Sequence, residues 1–183
     1  MTRRLAIGLL AGLAALGALF VVVLGFLAWN LATVPEPPEV AGLDPILTSF
    51  QLDTLEGGSL GPPDLRGEVV VIDVWASWCK PCDVQARILE KLHAEYADQG
   101  VTFLALNSGE DLETVQKHVD EKPFGYPVLL DPEAEVMQTA ELYALPTLLV
   151  LNPLGEVSYI SVGLTGASVV RNAIEEARGT LSG

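Results

Sequence analysis

The stretch from residue 69 to residue 82, V-V-V-I-D-V-W-A-S-W-C-K-P-C, constrains this chain more than any other. Its first half is an unbroken run of β-branched and apolar residues, the pattern of a strand covered on both faces in a parallel sheet. It ends in a C-x-x-C that holds the only two cysteines, Cys79 and Cys82. Within the run Asp73 is out of place, because a charged carboxylate there is expensive without a partner. A buried strand leading directly into closely spaced thiols points to redox chemistry.

The N-terminus predicts where that chemistry happens. Residues 5–29 are 25 residues without a charge. At about 1.5 Å per residue a helix of that length can cross a hydrocarbon core of about 30 Å. A secretory signal would have a shorter apolar region and small residues before its cleavage site. Neither F-L-A at 26–28 nor N-L-A at 30–32 supplies them. Arg3 and Arg4 precede the stretch, and Glu36, Glu39 and Asp44 are the first charges after it. The positive-inside bias therefore predicts residues 1–4 in the cytoplasm and 5–29 as a single-pass anchor in the cytoplasmic (inner) membrane. Everything after the anchor is extracytoplasmic, or periplasmic. No cysteine stands in or just after the span, so lipid attachment there is excluded. Residues 33–45 carry four prolines and three acids, which predicts an extended, semi-rigid spacer; the linker is placed at 30–47 and the folded domain at 48–183.

Within the domain, 48–55 alternates weakly and reads as an edge strand, followed by Gly- and Pro-rich turns. Strands are predicted over 69–74, 101–107, 126–130, 147–151 and 156–162. Helices are predicted over 80–98, with Val84, Ile88, Leu89, Leu92 and Tyr96 inward, and over 112–121, 133–143 and 166–178. In the last, Val169, Val170, Ala173, Ile174 and Ala177 face inward. Strands and helices alternate and then two strands meet across the turn at 152–155, which argues an α/β fold with a mixed sheet between helices. The formal net charge of −14, without a basic run, argues against a nucleic-acid partner. No dinucleotide or phosphate-binding motif is present, and no cofactor is expected.

Cys79 falls at or just before a helix N-terminus, where unpaired N–H groups and the helix dipole favour a thiolate, so it is the expected nucleophile. Cys82, one turn further, suits resolution of a mixed disulfide. Pro81 sits where its missing N–H costs nothing. Lys80 favours the thiolate if its side chain turns toward the sulfur. Two other roles for the pair are weak. A purely structural disulfide across so short a loop would stabilise little. A zinc site would have to recruit His93 and His118, which stand at no recognisable spacing, so no metal is expected. Haem attachment fails outright, because Asp83 stands where C-x-x-C-H needs histidine. Desolvation of Asp73 would raise its pKa and make it a proton acceptor for Cys82; a solvent-facing position or a lysine partner would also account for it. Trp78 is read either as packing or as part of a substrate surface. Pro146, before an apolar run, is a turn or strand-start proline.

W-A-S-W-C-K-P-C between strand and helix resembles the thioredoxin superfamily, and more narrowly the membrane-anchored, extracytoplasmic thiol-disulfide reductases of the TlpA, ResA and CcmG group. F-Q-L-D-T-L-E-G-G-S-L with D-L-R-G is similar to that group's extra N-terminal strands. Y-P-V-L-L-D-P-E-A-E-V and A-L-P-T-L-L-V-L-N-P-L-G-E-V are similar to its later segments. The resemblance implies a thioredoxin-like fold with Pro146 as a cis-proline facing the disulfide and Leu145 and Thr147 beside it at the substrate. It also implies a membrane thiol-transfer protein as electron donor, and apocytochrome c cysteines among the possible substrates. Gln85 and Arg87 depart from the glutamate and helix-kinking proline common after the second cysteine, and Asp73 is similar to the buried aspartate of thioredoxin where the group often has asparagine.

The expected activity is reduction of disulfides on extracytoplasmic proteins through Cys79 and Cys82. A disulfide-forming oxidase is the alternative within the same chemistry. A peroxidatic P-x-x-x-T-x-x-C would need proline and threonine where Ile72 and Ala76 stand. A metal chaperone or redox-inert binding module is the non-enzymatic alternative, and the absence of a histidine close to the cysteines counts against copper or zinc.

Overall fold

Alternation along residues 69–75 creates two cores. Val69, Val71 and Trp75 pack on one side of the sheet. Val70, Ile72 and Val74 pack on the other. Successive strand side chains point to opposite faces, so a strand covered on both must be apolar throughout. The computed structural model describes residue 17, residues 20–26 and residues 45–179. Residues 20–26 are helical and exposed, and they belong to a unit separate from the rest. Among the described residues no helix is long and apolar enough to cross a membrane. Most of the predicted 5–29 anchor and of the 30–47 linker lies outside the described residues.

The elements in chain order are α1 (Ile46–Ser49), β1 (Leu52–Thr54), β2 (Ser59–Leu60), a 3-10 turn (Pro62–Leu65), β3 (Val69–Trp75), α2 (Lys80–Glu95), β4 (Val101–Ser108) and α3 (Leu112–Glu121). They are followed by β5 (Val128–Asp131), α4 (Glu135–Thr139), β6 (Thr147–Leu151), β7 (Val157–Val162) and α5 (Ala167–Gly179). One seven-stranded sheet runs β2-β1-β5-β4-β3-β6-β7. The central β5, β4 and β3 are parallel, while β6 and β7 are antiparallel additions on one side and β1 and β2 on the other. This is a thioredoxin-like α/β fold with a mixed sheet between helices. Leu89 and Leu92 of α2 and Val170, Ala173, Ile174 and Ala177 of α5 cover one face. Val136 and Met137 of α4, with Leu47 and Phe50, cover the other.

Several boundaries differ from the sequence expectation, each for a local reason. The single edge strand predicted over 48–55 is a helical turn followed by two very short strands. Leu47 and Phe50 turn into the core, and Ser49 Oγ donates to the Pro45 carbonyl at 2.8 Å. Residues 46 and 47, expected in the linker, are thus helical. The first long helix stops at Glu95 rather than 98, because Asp98 and Gly100 adopt positive φ of 61° and 70° and turn the chain into β4. The helix predicted over 133–143 shrinks to five residues, bounded by Ala134 and Glu141 at φ 54° and 55°. The buried Asp131 carboxylate starts it by accepting from the Glu135 and Val136 N–H groups at 2.9 and 3.1 Å. On α2 the inward face carries Gln85, while Val84 is 37% exposed. The buried positions 82, 85, 89 and 92 follow the helical period, and the Gln85 Oε1 accepts from Thr165 N at 2.7 Å. Val169 is likewise on the outer side of α5. The β6–β7 turn needs Gly155 at φ 75°, where a side chain would also strike the Arg66 guanidinium.

Candidate active site

β3 delivers the chain to the C-terminal edge of the sheet, and Cys79 is the N-cap of α2 with extended backbone (φ −83°, ψ 95°). Its Sγ accepts a hydrogen bond from the Cys82 N–H at 3.3 Å, so one of the orphan donors of the helix start is aimed at the sulfur. Pro81 stands in the first turn. Cys79 and Cys82 form a disulfide with Cα atoms 5.3 Å apart, and both residues are buried, at 4% and 3% exposure.

The loop before Cys79 is held from the side. Glu110 accepts from Ser77 N at 2.7 Å, from Ser77 Oγ at 2.5 Å and from Asn107 Nδ2 at 2.8 Å. Sequence reasoning missed this clamp, since nothing in a residue 33 positions downstream announces that it meets Ser77. Its one local signal is its place in the loop after β4. Beyond the clamped Ser77, Trp78 is 69% exposed next to Cys79, which excludes the packing reading. Trp75 is instead buried against His118 and Phe124, with ring centroids 4.9 Å away in each case.

Asp73 is fully buried, and neither carboxylate oxygen has a hydrogen-bond partner on the protein. The solvent-facing and lysine-paired readings of this residue are therefore excluded. Its position in β3 puts it on the same face as Val71 and Trp75, the face that α2 covers with Cys82. Desolvation by burial holds its pKa well above the ordinary carboxylate range.

The Leu145–Pro146 peptide is cis. Because β6 is antiparallel to β3, with Thr147 opposite Val74, this loop reaches the sheet at the end where β3 leads to Cys79. Leu145 is half-buried and Pro146 buried. The Thr147 side chain is fully buried, and its hydroxyl donates to the Ala144 carbonyl at 2.7 Å. Thr147 can therefore position this loop, but its side chain is not available to a substrate.

Beside Cys82 a cavity of about 240 Å³ opens between α2 and the segment 118–124, with Trp75, Cys82, Glu90, His118 and Phe124 in its walls. Asp83 carries the local ion pairs, to Lys122 Nζ at 2.7 Å and His118 Nε2 at 3.6 Å. Desolvation pulls its pKa up, but the Lys122 hydrogen bond and the charges of Lys122, His118 and Lys80 outweigh it and hold the carboxyl below its ordinary range. Burial, helped by Lys122, lowers the His118 pKa.

A model described as the AhpC/TSA family matches residues 45–160, most of the chain. The chain belongs to the AhpC/TSA family. Among its relatives, the thiol-disulfide oxidoreductase ResA of Halalkalibacterium halodurans is 32% identical over 127 residues, 69% of this chain and 72% of that one. ResA of Bacillus subtilis is 27% identical over 158 residues, covering 85% and 87% of the two chains. A structure titled as a putative thiol:disulfide interchange protein DsbE from Chlorobium tepidum superposes with TM-score 0.65 at 26% identity, over 70% of this chain and 92% of that one. This AhpC/TSA member is thus a thiol-disulfide oxidoreductase of the ResA and DsbE type, in the TlpA, ResA and CcmG group of the thioredoxin superfamily. The positions that a peroxidatic motif would fill with proline and threonine are occupied by Ile72 and Ala76, both buried and without a polar side chain.

Proposed function

We propose that this protein is a membrane-tethered reductase of disulfides on extracytoplasmic proteins, with Cys79 as nucleophile, Cys82 as resolving thiol and Asp73 as its base. The observation that carries the reading is the Cys82 N–H aimed at Cys79 Sγ at the start of α2. Such a donor, with the helix dipole behind it, stabilises a thiolate at Cys79 in the reduced protein.

The Cys79 thiolate attacks a substrate disulfide, forming a mixed disulfide and expelling one substrate thiolate. The Cys82 thiol passes its proton to the Asp73 carboxylate, and the Cys82 sulfur then attacks Cys79 Sγ. The second substrate thiolate leaves, and the protein is left with the Cys79–Cys82 disulfide. Two electrons have moved to the substrate, and water reprotonates its thiolates. Burial of Asp73 supports the base role, because a carboxyl with a raised pKa can take and return a proton near neutral pH. The exposed Trp78, with Leu145 and Pro146, shapes the contact, and Thr147 braces it.

The charge-free stretch at 5–29 is read as the anchor and the segment from 30 up to α1 as the linker that keeps the folded domain, which begins with α1, off the membrane. The resting disulfide would be reduced again by a membrane thiol-transfer protein, since the compartment is oxidising. Cytochrome c maturation, with apocytochrome c cysteines as substrate, is the candidate setting. The test is insulin-disulfide reduction by the full chain, together with capture of substrates on Cys82→Ala. Loss of reduction in Cys79→Ser and accumulation of mixed disulfides through Cys79 in Cys82→Ala are expected. Reduction retained in Cys79→Ser would sink the assignment.

A further inference from the structure

The turn that joins β3 to α2, from Ala76 to Cys79, is closed by a hydrogen bond from Cys79 N to the Ala76 carbonyl at 3.0 Å. A further hold comes from outside the turn. Glu110 Oε2 accepts from Ser77 N at 2.7 Å and Oε1 from Ser77 Oγ at 2.5 Å, so this residue is gripped by backbone and side chain together. The same Oε2 accepts from Asn107 Nδ2 at 2.8 Å. Asn107 is fully buried and lies opposite Trp75, the last residue of β3, in the β3–β4 ladder. The grip is therefore anchored to the rung on which β3 ends. Glu110 is itself held from both neighbours, since Gly109 N donates to the Asp131 carbonyl at 2.8 Å and Asp111 caps α3 by accepting from Thr114 N at 2.8 Å. Two residues after Ser77 stands Cys79, whose Sγ meets the Cys82 N–H. In the disulfide form the S–S bond also keeps Cys79 on α2. Reduction removes that bond, and the attacking state depends on the turn to keep the sulfur at its donor.

We propose that Glu110 is a positioning residue for the nucleophile: by gripping Ser77 it keeps Cys79 Sγ at the N–H donor that stabilises the thiolate once the disulfide is open. This role rests on the reading of Cys79 as nucleophile. The negative charge of Glu110 opposes a nearby thiolate while its grip favours one, so the two effects act on the Cys79 pKa with opposite signs. Glutamine at position 110 separates them. Its carbonyl can take the Ser77 N–H and the Asn107 amide, and its own amide can donate to Ser77 Oγ, so the grip survives without the charge. Alanine loses both.

Other charged groups surround the cysteine pair. Lys80 and Asp83 belong to α2, His118 and Lys122 are paired with Asp83 from α3 and the turn after it, and Asp73 lies on β3. All of them are the same in Glu110→Ala and Glu110→Gln, so their effects cancel when the two variants are compared.

The test is alkylation of the reduced full chain by iodoacetamide across a pH series, with the modified cysteine mapped by mass spectrometry. Weakening a hydrogen bond to a charged sulfur should place the Cys79 midpoint about one unit higher in Glu110→Ala than in Glu110→Gln. Below the midpoint, a rise of about one unit lowers the thiolate fraction about tenfold and makes each thiolate about threefold more nucleophilic. Cys79 should therefore react about threefold more slowly in Glu110→Ala than in Glu110→Gln. A role in stability alone would move the melting temperature and leave both midpoints at the wild-type value, and a role of charge alone would lower both by the same amount. Equal midpoints in the two variants, at either value, overturn the proposal. If Glu110→Ala does not fold, Ser77→Ala against the wild type takes its place, because it loses one arm of the grip and keeps the charge. Its midpoint should rise, and an unmoved one overturns the proposal. Insulin reduction retained in Cys79→Ser would instead remove the reading of Cys79 as nucleophile, and the positioning role with it; equal midpoints with Cys79→Ser inactive would remove the positioning role alone.

Discussion

Replacing Asp73 by asparagine should make the oxidised protein more stable, by an amount that grows with pH. The native carboxyl is buried without a partner, and burial lifts its pKa well above the 3.8 it has when solvated. Between 3.8 and the raised native value, the native state keeps a proton that the unfolded chain has lost. Stability must therefore fall as pH rises through that window, at up to about 1.4 kcal/mol per pH unit for one group. The contribution is fully present below the unfolded pKa and is lost as pH passes through the native one. Asparagine has nearly the same shape and does not titrate. The stability of Asp73→Asn minus that of the wild type should run flat in acid, climb at about that slope, and level off above the native pKa. Guanidinium denaturation of the disulfide form, repeated from acid to mildly alkaline pH, measures it. Parallel curves at every pH would show that Asp73 has an ordinary pKa, and the reasoning that makes it a base would be wrong.

Glu110→Ala leaves the Ser77 N–H and the Asn107 amide without the acceptor they share, so stability should drop by about 1–3 kcal/mol in a denaturant titration. Trp78→Ala should leave the melting temperature unchanged, since the side chain is 69% exposed, while lowering kcat/KM for a protein disulfide. A small-molecule disulfide should be little affected. His118, desolvated and beside Lys122, should titrate with a midpoint below 6.5 when followed by NMR. A midpoint above that value would mean that the Asp83 contact dominates.

The parts of the fold legible in the sequence were those governed by local periodicity. Residues 69–75, 101–106 and 147–151 are mainly apolar on both faces because each strand is covered twice, and such runs stand out in any chain. The dithiol was equally plain, because its chemistry lies in a spacing of three. The edge of the sheet was not. β1 and β2 are three and two residues long, too short for alternation to register, and Leu47 is buried because the 3-10 turn and α4 come back against α1. Backbone at positive φ, carried by Ala134 and Glu141 without glycine, cut the predicted 133–143 helix to a fragment that propensity alone would have extended. At the site, Asp73 was visible as an acid in an apolar run. Glu110 was not, since it reaches Ser77 from 33 positions further along the chain.

The direction of electron flow is the central claim, and the reduction potential of the Cys79–Cys82 couple tests it most directly. Equilibrating the full chain with glutathione buffers and counting free thiols gives the value. A reductase predicts a potential near that of thioredoxin, about −270 mV. A potential near that of DsbA, about −120 mV, would contradict it and make this protein an oxidant.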